Sequence, residues 1–292
     1  MGSPTVLDTV LLALAASLCW GTADFTAGLK ARTVALPTVL LLAQGVGLLL
    51  SVPLVALSGR AIPSTGVALA SLGAGAAVLA GLACFYRALA AGTMSVVAPV
   101  AAIGVAIPVL AGLVSGNHLA AVQAIGMLAA VLGVVLASRH PAGDRSAAGR
   151  RAHRESIGLA VLAAVAFGCY FLLAHIGTRG GVTWLLLLAN VAGVSGVAGV
   201  LVIAKLARSP LPARAPAGDV RVLALAGVVE FAATGLYGLA NRHGELSVVA
   251  VAGSLYPVAT VLLARVVLRE RLVRTQALGV TLALVGVALI AA

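Results

Sequence analysis

Long apolar runs, each about one bilayer crossing in length, follow one another along the chain with short polar interruptions. They occupy residues 6–29, 36–57, 67–90, 94–115, 120–138, 157–178, 184–206, 222–241, 246–268 and 273–291. A run of about 20 apolar residues is what a helix needs to cross hydrocarbon. The runs are continuous rather than alternating, which argues for helices and against a membrane β-barrel. The expected fold class is an all-α integral membrane protein with ten transmembrane helices.

The pattern repeats. "VQAIGMLAAVLGVVLAS" from Val122 matches "TQALGVTLALVGVALIA" from Thr275, and "AGTMSVVAPVA" from Ala91 matches "HGELSVVAVAG" from His243. A weaker match joins "WGTADFTAGLKAR" from Trp20 to "FGCYFLLAHIGTR" from Phe167. The one clear divider is the polar, basic stretch "RHPAGDRSAAGRRAHRE" at 139–155. The expected organisation is therefore a first five-helix repeat over 1–138, a basic linker over 139–155 and a second five-helix repeat over 156–292. An odd number of spans per repeat requires the two to lie in opposite orientations, an inverted repeat.

The charges support that inversion. Sixteen of the 19 Lys and Arg residues fall in the central linker and in the connections 1–2, 3–4, 7–8 and 9–10. Only Arg60, Arg179 and Arg242 fall in the others. Basic residues gather on the cytoplasmic side of membrane helices. The linker is thus expected to be cytoplasmic and both termini outside, in a multi-pass protein of the cell (inner) membrane.

Composition agrees: 62% of residues are hydrophobic, 9% are charged, and the mean hydropathy is +1.15. A soluble domain carries far more charge. The net charge of +11 would suggest nucleic acid in a soluble protein. Here the basic residues flank apolar spans and no aromatic series accompanies them, so nucleic-acid binding is excluded and the lipid bilayer is the expected environment. Cys19, Cys84 and Cys169 lie inside apolar runs as small packing residues, with no CxxC. The first span lacks a basic leader and is too long for a cleavable signal core.

The chemistry is concentrated in a few polar residues inside the spans. Glu230 stands near the middle of the eighth. With Gly227, Thr234, Tyr237 and Asn241 it forms one helical stripe. A polar stripe on a membrane helix faces protein or water, and an intramembrane carboxylate marks a functional site by default. The counterpart stripe in the first repeat, Gly75, Val78, Leu82, Phe85 and Leu89, is apolar, so the fold itself does not require the acid. Glu230 is the first candidate for carrying a proton; the alternative is a packing pair with an arginine or polar neighbour. Asp24, in the first span, is the second candidate, or else a helix-end acid paired with Lys30 or Arg32. His175 is a proton carrier or an interfacial histidine. Gln44 and Asn190, matched across the repeats and each followed three residues later by glycine, bind a polar solute or join two helices. Trp20 is a cavity wall or a packing aromatic. Tyr256–Pro257 in the ninth span, and Pro99 and Pro108 in the fourth, are expected to free backbone carbonyls where a solute binds. Glu270, among Arg269, Arg271 and Arg274, is expected in a structural ion pair.

Motifs for hydrolysis, nucleotide binding or metal ligation are missing from the sequence. No cofactor, metal or catalytic residue is expected. The remaining rival readings are an intramembrane enzyme and a structural membrane protein. Ten spans in two repeats, the first-span "WGTADF" and the closing "LRERLVRTQALGVTLALVGVAL" together resemble the drug/metabolite transporter superfamily, EamA type. In the first repeat Asn117 replaces the family's glutamate, here Glu270, and Arg269 replaces its usual glycine. The resemblance implies a secondary transporter, often an exporter of amino acids or other metabolites. It also implies a central cavity walled by the third, fourth, eighth and ninth spans. Its relatives are often drawn with both termini cytoplasmic, whereas the charges of this chain place them outside. The expected function is alternating-access movement of a small-molecule solute, either coupled to protons or as a uniporter or exchanger without ion coupling.

Overall fold

The computed structural model describes residues 6–114, 121–137, 147–210, 212–213, 215–243 and 255–291. Among them every regular element is helical. The first three spans are α1 (Val6–Lys30), α2 (Leu36–Ser58) and α3 (Thr65–Ala91). The fourth is split into α4 (Met94–Ala102) and α5 (Ala106–Val114), and the fifth is α6 (Ala121–Ala137). The rest are α7 (Ala147–Gly177), α8 (Val182–Leu206), α9 (Ala217–His243), α10 (Tyr256–Val267) and α11 (Arg274–Ala291). Six stretches are long and apolar enough to cross a membrane, and four shorter apolar stretches, Met94–Pro108, Ala124–Gly133, Tyr256–Val267 and Arg274–Leu289, accompany them. These ten fall on the ten expected spans.

Local chemistry explains where the helices stop and bend. Pro37 sits in the first turn of α2, where its missing N–H is harmless, and Gly59 closes the helix with φ 60°. The fourth span is interrupted by a 3-10 turn at Ile103–Val105. Pro108 has no N–H for the Gly104 carbonyl one helical turn earlier. That carbonyl packs instead on Gly168 of α7, where an added Cβ would lie 2.7 Å from it. Pro99, by contrast, is accommodated inside α4. The linker differs from expectation. Its last part, from Ala147, is already helix α7, because Ala147, Ala148, Arg150, Arg151 and Ala152 are good helix formers.

Packing between the helices is reciprocal. A Cβ on Gly47 of α2 would fall 2.8 Å from Asn190 Cγ of α8, and one on Gly193 of α8 would fall 2.8 Å from Gln44 Cδ of α2. A Cβ on Gly133 of α6 would lie 2.7 Å from Ala283 Cα of α11, and one on Gly286 of α11 would lie 2.8 Å from Ala130 Cα of α6. Gly21 meets Ala259 as Gly168 meets Ile107, each at 2.6 Å from a built Cβ to the neighbouring Cβ. These partners are the residues that the sequence repeat equates. Small residues let membrane helices approach this closely, which is where their association energy comes from.

A compact apolar cluster that includes Phe85, Leu89, Met94, Val97 and Leu223 fills one end of the bundle. Around that end lie the polar ties. Lys30 Nζ meets Asp219 Oδ1 at 2.6 Å, and Arg87 meets Glu155 at 3.3 Å. The buried Ser156 hydroxyl donates to the Ala88 carbonyl. Leu18, Leu49, Leu69, Leu128, Ile203 and Leu278 are among the large apolar side chains left exposed, as expected of a surface that meets lipid.

Glu270 departs from the expected ion pair. Its carboxylate accepts the backbone N–H of Met94 at 3.0 Å and of Ser95 at 2.9 Å. These are the first two residues of α4, whose own N-cap, Thr93, makes no side-chain cap bond. Glu270 thus caps a helix of the first half from the connection between α10 and α11. A carboxylate is the natural partner for free N–H groups at the positive end of a helix. The nearby arginines do not compete, because Arg269 takes a left-handed φ of 54° at the turn and Glu270 is directed toward α4. Glu270→Ala is expected to lower stability by about 1–2 kcal/mol, and Glu270→Gln by less because its amide oxygen still accepts. Thermal denaturation in detergent measures both.

Candidate functional site

A cavity of about 100 Å³ lies between the halves. That is room for several waters or one small organic solute. α1 contributes Trp20 and Asp24, α2 contributes Gln44 and Gly47, and α3 contributes Val78 and Leu82. The second half supplies Phe167, Tyr170 and Phe171 from α7, Leu185 to Asn190 positions from α8, Glu230, Phe231 and Thr234 from α9, and Tyr256 from α10. The walls implied by the family resemblance are met at the third, eighth and ninth spans. The fourth contributes no described residue to the lining; its α4 residues are buried in the apolar cluster. The first, second, sixth and seventh spans contribute instead.

The two acids share this space. Asp24 is buried and accepts a hydrogen bond from the Tyr86 hydroxyl at 3.2 Å. It does not pair with Lys30, whose ammonium binds Asp219. The Glu230 carboxylate is hydrogen-bonded by the Trp20 side chain, whose only donor is the indole N–H. Its Oε2 is buried and has no hydrogen-bond partner among the described residues. Among the described residues no ion pair involves Glu230, so the alternative of a packing pair with an arginine finds no partner there. Trp20 sits four residues before Asp24, one turn away on the same face of α1. It links the two acids through its position.

The other polar residues sort themselves by placement. Thr234 lines the cavity, and its hydroxyl donates to the Glu230 carbonyl at 3.1 Å. Asn190 lines it too, with its amide N–H donating back to the Leu186 carbonyl at 2.8 Å. Gln44 is buried at the wall against Gly193. Tyr237 stands behind Trp20, ring centroids 5.0 Å apart, and reaches Phe171 at 6.3 Å. Tyr256 lines the cavity at the start of α10, and its carbonyl together with the Gly21 carbonyl accepts from the buried Thr260 hydroxyl. His175 stands apart, exposed in the last turn of α7. The Asn241 side chain lies outside the described residues, as do the residues before Leu255 in the ninth span.

Several residues of the site escaped the reading of the sequence. Tyr86 lies one position off the apolar stripe of the third span, so periodicity gave no reason to pick it. Phe167, Tyr170 and Phe171 did carry a signal. Phe167 is the repeat counterpart of Trp20, and "FGCYF" places three aromatics where the first repeat has "WGTAD".

No curated protein matches the chain. A solved crystal structure, described only as that of a protein, aligns with a TM-score of 0.64 at 17% sequence identity, covering 96% of this chain and 95% of its own. At that identity the likeness establishes a shared fold and nothing finer. Residues 155–292, the second half that holds Glu230 and most of the aromatic wall, match the model of the EamA-like transporter family, part of the drug/metabolite transporter superfamily.

Proposed function

We propose that this membrane protein is a secondary transporter that exports a small polar or amphipathic metabolite by alternating access, driven by protons. The observation that carries the reading is Glu230: a buried carboxylate oxygen without a partner, on the wall of a cavity between the halves. Ionisable groups inside membrane segments mark proton relays and solute paths, so proton uptake and release at such a group can be tied to the solute. Glu230 is the principal proton site, and Asp24 the second. A structural membrane protein would have no use for this cavity.

The reciprocal glycine contacts support two inverted five-helix repeats, 1–138 and 156–292, that rock about the cavity. The basic connections put 139–155 on the cytoplasmic side of a cell membrane. In that orientation the cavity reaches the outer ends of α7 and α8, while Phe85, Leu89, Met94 and Leu223 seal the inner end. Lys30–Asp219 and the Glu270 cap on α4 tie the halves together there. This is an outward-facing state, and both ties must open when the cavity turns inward.

Purified protein in liposomes tests the reading. A panel of radiolabelled metabolites, amines, amino acids and carboxylates is offered across an imposed pH gradient. Saturable flux above protein-free vesicles, collapsing with the gradient, is expected for at least one class. Flux of none, or flux indifferent to the gradient, overturns transport or its proton coupling respectively.

A further inference from the structure

Resting on that transport reading, we infer that the solute is an organic cation: an ammonium group on an apolar or aromatic body, seated between Asp24, Glu230 and the aromatic wall. Among the described residues the lining of the cavity contains two carboxylates and no Lys, Arg or His. The nearest cation along α1, Lys30, is held by Asp219. A solute carrying a negative charge would find no basic side chain among the described residues of this wall. Two acids in one small cavity instead need either protons or a cation to neutralise them. Glu230 Oε2 has no hydrogen-bond partner among the described residues and supplies the free acceptor.

The second observation is the aromatic wall. The chain has only 11 aromatic residues among 292. Six of them, Trp20, Phe167, Tyr170, Phe171, Phe231 and Tyr256, line this cavity. Tyr237 backs Trp20, and Tyr86 holds Asp24. Ring faces attract ammonium groups, Trp most strongly, and the attraction grows when water is excluded. Apolar side chains would serve a neutral hydrocarbon as well; aromatic ones combined with acids favour a cation. The same acids then serve two ligands in turn, because a proton on Glu230 removes the charge that the ammonium binds. Among the described residues the titratable groups facing Glu230 are Asp24 of α1, Tyr86 of α3, Tyr170 of α7 and Tyr256 of α10, and none of them is basic.

The test uses the full chain carrying Trp184→Phe, which leaves Trp20 as the only tryptophan. Trp184 lies away from the lining and donates to the Arg60 carbonyl. Benzyltrimethylammonium, its neutral isostere neopentylbenzene, and benzoate are titrated while Trp20 fluorescence is followed. The cation is expected to bind about ten-fold or more tightly than either comparison compound. Its binding should weaken as the pH falls, and Glu230→Gln should weaken it about ten-fold while leaving neopentylbenzene unchanged. Equal binding of the neutral isostere, or tighter binding of benzoate, overturns the inference. Binding of the cation that is insensitive to Glu230→Gln does so too. Transport stands or falls separately. Gradient-driven flux of a neutral or anionic solute, without cation binding, would sink the cation and keep the transporter. Cation binding without flux of any solute would do the reverse.

Discussion

Glu230→Gln is expected to cut uptake driven by a pH gradient to roughly a tenth or less of wild type, without unfolding the protein. Glutamine keeps the length of the side chain and an oxygen for the Trp20 indole. It removes only the capacity to hold a proton and, when the proton leaves, a negative charge. No cation faces the carboxylate among the described lining residues, so the folded protein loses no ion pair with the substitution. Its melting temperature in detergent should stay the same or rise, since an uncompensated buried acid is a liability to stability. That combination, lost flux with kept or increased stability, separates a working proton site from a structural one. Asp24→Asn should do less, because the Tyr86 hydroxyl can still donate to an amide oxygen and Glu230 remains. Flux assays in liposomes at several gradients measure both variants. If Glu230→Gln retained full uptake that still answered the gradient, the proton role would be wrong.

The fold could be read from the chain to an unusual degree, for a physical reason. Lipid requires each span to satisfy its own backbone hydrogen bonds, so length and hydropathy alone placed ten helical segments. The repeat then identified which spans correspond, and the reciprocal contacts of Gly47 with Asn190 and Gly193 with Gln44 fall on paired residues. What the chain could not disclose were the contacts that depend on how helices rotate against one another. Tyr86 is one residue away from an apolar stripe, and only the approach of α3 to α1 brings its hydroxyl to Asp24. Glu270 sits among arginines in sequence, so charge patterning pointed to an ion pair. Its actual partners are backbone N–H groups, which no side-chain pattern reveals. The same limit applies to His175: its repeat counterpart Gly28 packs on Leu89, while His175 itself is exposed at a helix end. Periodicity defines faces of helices, and tertiary packing decides which face meets the cavity.

The largest loss of stability is expected from filling the crossing of α6 and α11. Gly133 and Gly286 let these helices touch backbone to backbone: a Cβ on either would land within 2.7 or 2.8 Å of an alanine Cα on the other helix, and closer still to its backbone nitrogen. Backbone cannot rotate aside as a side chain can, so the helices must separate. Gly133→Leu and Gly286→Leu are each expected to destabilise the protein by about 3 kcal/mol or more, beyond ordinary overpacking because the obstacle is main chain. Helix propensity works the other way, since leucine favours helix over glycine by nearly 1 kcal/mol. A Gly199→Leu control isolates that contribution, as Gly199 is exposed on α8 and a Cβ there meets nothing within 4 Å; it should be neutral or slightly stabilising. Because the two glycines occupy matching places at one crossing, their single effects should be alike. The double variant should lose less than both combined, the first leucine having already parted the helices. Thermal denaturation in detergent and the yield of monodisperse protein give the readout. Two leucine variants as stable as the Gly199→Leu control would mean that α6 and α11 do not meet this way, and unequal losses would count against a two-fold relation between the halves.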